Sequence, residues 1–453
     1  MFCELETSNC VLRKCFLAFA VVALSAVYSR AQHAGCNSSY SRFGLGMVSD
    51  ESQTWNRSMG GVGVALPSNS RLSTLNPASY AYIDSLSFIL DAGMTAGFGR
   101  VSQSGSGKNV RNVSLDYVTA GFRLRKGLGM TVGFRPYTVV GYNFVKNDDE
   151  KFRDEISSAL IESYTQYDGS GGLNRAFAGI GWRPFSRLSI GAEISILWGS
   201  YAHEVKQYTA SNSSVSSSFN SLYLMHGASI TSYMVGFGAQ YAFRVSPTDF
   251  LSIGAACSVG HNLGGTAYLY RGMEGSSSSS VNTPNDSVVG GIDIPWTAKG
   301  GVAWHHKNNL IVSADFAYQG WGSCLFPTIT TGNKYVASSE TYRDSYGVRL
   351  GTEYIPDPRE LHKFFKRMRY RAGFSYTSSS IRVNGINCPA ELTASIGVGI
   401  PIINRINSRS VVNVGLQYVG RPAGNNGLVK ENYLMVNVGL NFNERWFMKF
   451  KIQ

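Results

Sequence analysis

The amino-acid sequence predicts an all-β fold, a 14-stranded antiparallel transmembrane β-barrel with an N-terminal plug, or hatch. Three observations lead there. Stretch after stretch alternates apolar with polar or glycine residues at period two, the signature of strands with one greasy face. The connections between these stretches are alternately short and long, as in a barrel with turns at one end and loops at the other. Only 15% of the 453 residues are charged, against roughly 25% in soluble domains, while Gly, Tyr and Phe number 50, 25 and 24.

The chain begins with a targeting segment over residues 1–31. Arg13 and Lys14 precede an apolar run from Cys15 to Tyr28, and Ser29-Arg30-Ala31 supplies small residues for cleavage before Gln32. The run is shorter than the roughly 20 apolar residues of a membrane-spanning helix. A lipoprotein reading through Cys36 is weaker, because His33 stands where an aliphatic residue is wanted. Cleavage leaves Cys36, Cys257, Cys324 and Cys388, whose spacing matches no metal motif. Export permits disulfides; a Cys324–Cys388 bridge and free thiols are the two readings.

Residues 32–84 lack the strand pattern and are rich in Gly, Ser and Asn. Gly60 and Gly61 suit tight turns and close backbone approach, and Asn76-Pro77 starts a turn. The segment holds too few large apolar residues for a core of its own, so a plug is expected.

Fourteen strands follow within residues 85–443: Ser85–Arg100, Val113–Leu124, Leu128–Asn143, Leu173–Pro184, Leu188–Val205, Ser218–Val245, Phe250–Tyr270, Ile292–His305, Asn309–Trp321, Thr341–Ile355, Met368–Ser378, Ala390–Ile400, Ser410–Gly420 and Tyr433–Asn443. The last is the cleanest, with Leu434, Val436, Val438, Leu440 and Phe442 opposing Met435, Asn437, Gly439 and Asn441. Short connections such as Arg125-Lys126-Gly127, Phe185-Ser186-Arg187 and Lys307-Asn308 alternate with long ones such as Phe144 to Gly172. Pro356 to Arg367 is intermediate and suits a helical turn. Residues 444–453 form a periplasmic tail.

A soluble sandwich would bury the greasy faces in a core; a membrane barrel turns them to lipid. Strands longer than the roughly 9–11 residues that span a bilayer favour the barrel. So do aromatics near strand ends (Tyr142, Trp182, Trp198, Trp304, Tyr318, Trp321, Tyr342, Tyr354). An open sheet edge is too costly in hydrocarbon, so the sheet closes. The expected location is the outer membrane of a Gram-negative-type bacterium, with its lipid as partner. Formal charge is +12, but Lys and Arg are scattered one or two per strand, which does not suit nucleic acid.

The stretches YSRFGLG (Tyr40–Gly46), RSMGGVGVAL (Arg57–Leu66) and NPASY (Asn76–Tyr80), with the tail NERWFMKFKIQ, resemble the FadL-type outer-membrane proteins. Those are long-chain fatty-acid and aromatic-hydrocarbon transporters, and the resemblance is to a branch with an N-terminal YSRFG-like stretch. It implies a hatch plugging a fourteen-stranded barrel, with Asn76, Pro77 and Ala78 in the hatch turn. Some relatives serve protein secretion.

Candidate sites follow. Phe152, Ile156, Leu160 and Tyr164 are spaced as one face of a helix that would cover a hydrophobic ligand groove or pack on the barrel rim; Leu325 and Phe326 are a second candidate. Arg135, Lys299, Arg343, Arg349, Arg369 and Arg371 on polar faces oppose Asp293, Asp315, Glu353 and Glu391. Mutual pairing with the plug is their favoured role, because lone charges in a confined lumen are costly. Asn76 is read as a turn residue satisfying plug backbone. No G-x-S-x-G and no metal-spaced His cluster occurs, and Gly105-Ser106-Gly107-Lys108-Asn109 lacks the Ser/Thr of a phosphate loop. Neither an enzyme nor a cofactor is expected. The expected function is passive uptake or binding of a hydrophobic, fatty-acid-like small molecule. The alternative is a structural or secretion-associated barrel that docks partner proteins.

Overall fold

The computed structural model describes residues 38–445 except 86, 104, 154–159, 212–220, 275–285, 308, 331–333, 359, 361–362, 384, 403–408 and 424–427. The signal segment and the tail from residue 446 therefore lie outside the described residues, while Glu444 and Arg445, expected in the tail, belong to the last strand.

Fourteen wall strands form: β1 Ser87–Gln103, β2 Ser106–Arg125, β3 Leu128–Pro136 resuming as Thr138–Arg153, β4 Leu160–Trp182, β5 Leu188–Ser211, β6 Ser221–Arg244, β7 Asp249–Ser258, β8 Thr297–His306, β9 Leu310–Gln319, β10 Ser345–Tyr354, β11 Arg369–Thr377, β12 Glu391–Pro401, β13 Val411–Arg421 and β14 Lys430–Arg445. Each pairs antiparallel with the next, and β14 pairs with β1 from Arg445↔Ser87 to Lys430↔Ser102. The barrel is closed.

The alternation decides the two faces. On β5, Ile194 and Ile196 are exposed on the outside while Glu193 and Ser195 are buried within; on β14, Leu434 and Val438 point out while Asn437, Asn441 and Asn443 are buried. An outer surface studded with Ile, Leu, Phe and Val around the whole wall suits acyl chains, not water.

Inside lies the segment from Ser38 to Asp84. It has little regular structure: a 3₁₀ turn at Ser39–Arg42, a two-residue strand Met47–Val48, the helix α1 at Thr54–Arg57 and a 3₁₀ helix at Pro77–Tyr82. Above it, at the long-loop end, an apolar core of Leu45, Tyr201, Ile230, Leu269, Trp321, Phe326 and Tyr342 fills the mouth.

Several expectations are corrected. At the described ends of the stretch expected as a helix, the chain is strand: Phe152 and Tyr164 lie on the paired arms of β3 and β4, which extend beyond the wall (Phe152↔Ile161, Asn147↔Tyr164). Ile156 lies outside the described residues, and Tyr164 stacks on Tyr208. Phe152, Leu160 and Tyr164, spaced like the apolar face of a helix, are here strand residues above lipid, free of the alternation that lipid imposes. β8 starts at Thr297, so Asp293 is not in the wall; it bridges to Asn262 at the loop end. Cys257, Cys324 and Cys388 are free thiols; Cys324 packs in the apolar mouth and Cys388 beside Tyr40 and Ile381, so no Cys324–Cys388 bridge forms. Of the expected girdle aromatics, Trp182, Trp198, Trp304 and Tyr354 are exposed, whereas Tyr142, Trp321 and Tyr342 are buried in the mouth. The helical turn at Phe364–Arg367 (α2) forms as expected.

Closure is testable at Phe98 and Leu434, which face each other across β1 and β14 on the lipid side. Oxidation of an F98C/L434C variant is expected to crosslink the two chain ends of the barrel, read as a reduction-sensitive shift in gel migration.

Candidate functional site

The inner wall is polar, and the hatch satisfies it. Asn76, fully buried, accepts from the Ala78 amide (3.0 Å) and donates through Nδ2 toward the carbonyls of Val64, Ala239 and Ala255 (2.8, 3.1 and 3.1 Å). It thus pins a hatch turn to β6 and β7, and Gly238 leaves it the room. Pro77 opens the following 3₁₀ helix and Ala78 is buried in it. Gly60 and Gly61 adopt φ of +69° and +82°, a left-handed turn that side chains resist. The Gly60 amide donates to Ser395 (2.9 Å), and the Gly61 carbonyl accepts from Arg349 (3.1 Å).

Three buried carboxylates organise the rest. Glu353 on β10 is gripped by hatch Arg71 through two bonds (2.6 and 3.0 Å), by Arg371 (2.7 Å) and by Arg369 (3.3 Å). Asp315 on β9 accepts the Gly63 and Val64 amides (2.6 and 2.9 Å). Hatch Glu51 meets Lys299, Arg135 (3.5 Å) and Arg175 (3.3 Å), and Arg175 also pairs with Glu193. Burial alone would raise the Glu51 carboxyl, but Lys299, Arg135 and Arg175 outweigh it and hold it far below the usual carboxylate range. Arg57 of α1 pairs with Asp116 on β2 (2.7 Å).

Beside this network lies a cavity of about 350 Å³. It adjoins a break in the wall. β2 and β3 are paired only as far as Val118↔Phe134; above that, β2 pairs with β1 alone. β3 turns in at Pro136 and pairs instead with β4 and, at Thr138 and Val139, with the hatch strand Met47–Val48. Gly171 and Gly172 on β4, at φ of +109° and +135°, absorb the shift. The two strands meet again where Lys108 Nζ donates to the Asn143 carbonyl (3.4 Å). Between these limits is a window, and the cavity is lined from both of its jambs, by Asn112, Ser114 and Asp116 on β2 and by Pro136, Tyr137 and Val139 on β3.

The sequence-predicted charges divide accordingly. Arg135 and Lys299 meet hatch Glu51, Arg349 meets the Gly61 carbonyl, and Arg369 and Arg371 meet Glu353, all within the lumen. Arg343 and Asp293 do not; they sit at the loop end, where Asp293 accepts from Asn262 (2.7 Å) and the Leu325 amide (2.9 Å). Phe326 is buried in the apolar mouth. Sequence reasoning missed Glu51, Arg57, Arg71, Arg175 and Glu193. The last two lie on the inward phase of β4 and β5 and were open to detection there; the hatch residues carry no periodic signal.

Glu353→Gln would leave three guanidinium groups around a neutral amide. Removing one partner of a buried ionic cluster typically costs about 3–5 kcal/mol, so heat-modifiable gel migration should be lost at lower temperature than in the wild type. Glu391→Gln, at the partly exposed Arg421 pair (2.6 Å), should change it little.

The fold is shared with solved structures. The toluene transporter TbuX of Ralstonia pickettii is similar with a TM-score of 0.54 at 15% identity, over 86% of this chain and 98% of its own. The P. putida toluene transporter TodX gives 0.55 at 15% identity, over 88% and 100%. A Pseudomonas aeruginosa FadL homologue gives 0.53 at 14% identity, over 88% and 98%. The FadL-type fold expected from the sequence is thereby supported, and with it an outer-membrane location. No curated protein sequence matches the chain. The BamG family model matches residues 12–453, and the chain belongs to the BamG family.

Proposed function

We propose that this barrel takes up or binds hydrophobic, fatty-acid-like small molecules from the outer leaflet by passive diffusion. The observation that carries the reading is the window between β2 and β3, because unpaired strand edges at lipid depth are costly and persist only where something else compensates. Here the window opens onto a cavity within the roughly 300–1,000 Å³ range of small-molecule sites. An apolar tail enters sideways from the bilayer, past the exposed Phe98 and Val113, while its polar end meets Ser114 and Asn112. TbuX and TodX are toluene transporters, and toluene is a hydrophobic small molecule too. Release toward the periplasm requires the turn Asn76-Pro77-Ala78 to break its bonds to β6 and β7 and rearrange locally, since the hatch as a whole has no room to slide. The groove first expected near Phe152–Tyr164 has no part in this route.

A second reading rests on the strength of the hatch anchorage. Glu353, Asp315, Glu51 and Asp116 each tie hatch to wall in buried surroundings. A hatch so held suits a sealed barrel whose work is to dock proteins at the outer membrane.

Native mass spectrometry of detergent-purified protein separates the two. Transport predicts bound lipid or fatty acid, reduced several-fold by Ser114→Trp at the window jamb with folded migration unchanged. Absence of any bound hydrophobe, together with stoichiometric proteins in a pull-down, would sink the first reading and support the second.

A further inference from the structure

The strongly basic balance of the chain finds no use in the lumen, where most cations are paired. Among the described residues exposed cations stand at both ends of the wall, at the loop end for example Arg100, Lys334 and Lys430, and a set of seven marks the short-turn rim. Arg125 ends β2 and Lys126 follows it, Arg187 precedes β5, Arg244 ends β6, Lys307 follows β8, Lys363 precedes α2 and Lys366 lies in it; all are exposed. At four of these five turns an exposed hydrophobe stands beside the cation: Leu124, Phe185, Val245, and the pair Phe364 and Phe365. The acidic residues of the same turns do not cancel them: Asp249 is bound to His306 (2.6 Å), and Asp357 and Glu360 are only partly exposed.

We propose that this rim is a binding surface for anionic phospholipids of the inner leaflet. Its height in the bilayer is marked by aromatics. Exposed Trp182, Tyr241 and Trp304 each stand three residues before Phe185, Arg244 and Lys307, on the outer face of the wall. Tryptophan and tyrosine in such a row settle at headgroup level, which puts the turn cations among the phosphates. Lys and Arg stems lie along apolar surface while their charges reach out, and basic clusters at that level attract anionic headgroups. The pattern also speaks against a protein as occupant. The hydrophobes are single residues separated by cations along an arc, with hairpins roughly 10 Å apart from two inter-strand spacings. A stable protein interface instead needs a contiguous patch of about 800 Å² per partner with an apolar centre. The densest station is α2, where Phe365 is 72% exposed between Phe364 and Lys366.

The test is competitive retention. The full chain is reconstituted in nanodiscs of equal phosphatidylglycerol and phosphatidylethanolamine, extracted in mild detergent and weighed by native mass spectrometry. Phosphatidylglycerol is expected to be retained several-fold over phosphatidylethanolamine. An R187Q/K363Q/K366Q variant should fall to near parity while keeping heat-modifiable migration, and K206Q at the loop end should behave as wild type. Parity in the wild type, a preference that survives the triple substitution, or an acidic periplasmic protein bound one-to-one to the rim without any lipid preference would each overturn the proposal. None of these outcomes bears on the window, which lies at the other end of the wall.

Discussion

Backbone amides and carbonyls immersed in hydrocarbon must find partners within the protein, and this requirement shapes everything else in the molecule. Strand pairing meets it around the circumference, with β14 returning to β1. Closure in turn encloses a lumen whose inward residues, set by the same alternation that greases the outside, are polar. Those residues cannot be left dry and unpaired, so the closed wall creates a second demand that an inner segment has to answer.

The hatch answers it with backbone as much as with side chains. Asp315 is met by two consecutive amides, Ser395 by a third, and Arg349 by a carbonyl, none of which depends on hatch side-chain identity. Arg71, Glu51 and Arg57 add charge where the wall offers the opposite sign. Glu353 shows the logic in reverse: one wall carboxylate surrounded by two wall arginines and one from the hatch is balanced by none of them singly, so the cluster is a joint property of both parts. Beside Pro136, where the wall fails to pair with itself, the hatch contributes a strand of its own.

Much of this was legible in the sequence. β14 alternates so regularly that its inward and outward residues were assigned correctly, as were those of β8 from Thr297 and of β10 from Ser345, whereas Ile292, Ile294 and Tyr342, counted on the greasy face, are buried in the mouth. The upper parts of β3, β4, β5 and β6 were not legible, because above the lipid nothing enforces alternation; Phe152 and Tyr164 there imitate a helix. The girdle was half right for a related reason. Trp182 and Tyr142 look alike in sequence, yet one faces acyl chains and the other the apolar mouth, and only the position of the inward bend in β3 distinguishes them. Arg71 and Glu51 were invisible because their partners lie 282 and 248 residues away for Glu353 and Lys299, with no local pattern to announce them.

The glycines of the inner wall have a consequence for how the molecule is made. A Cβ at Gly373 or Gly351 would collide with Met59, at Gly129 with Tyr80, at Gly254 with Val64 and at Gly191 with Pro77. Main chain rests on main chain at all these places, so the inner piece has no clearance through which to slide. A finished cylinder could not admit it afterwards. The hatch, which immediately precedes β1 in the chain, must already be seated when the final seam zips, and biogenesis of this protein is the wrapping of a wall about a resident core.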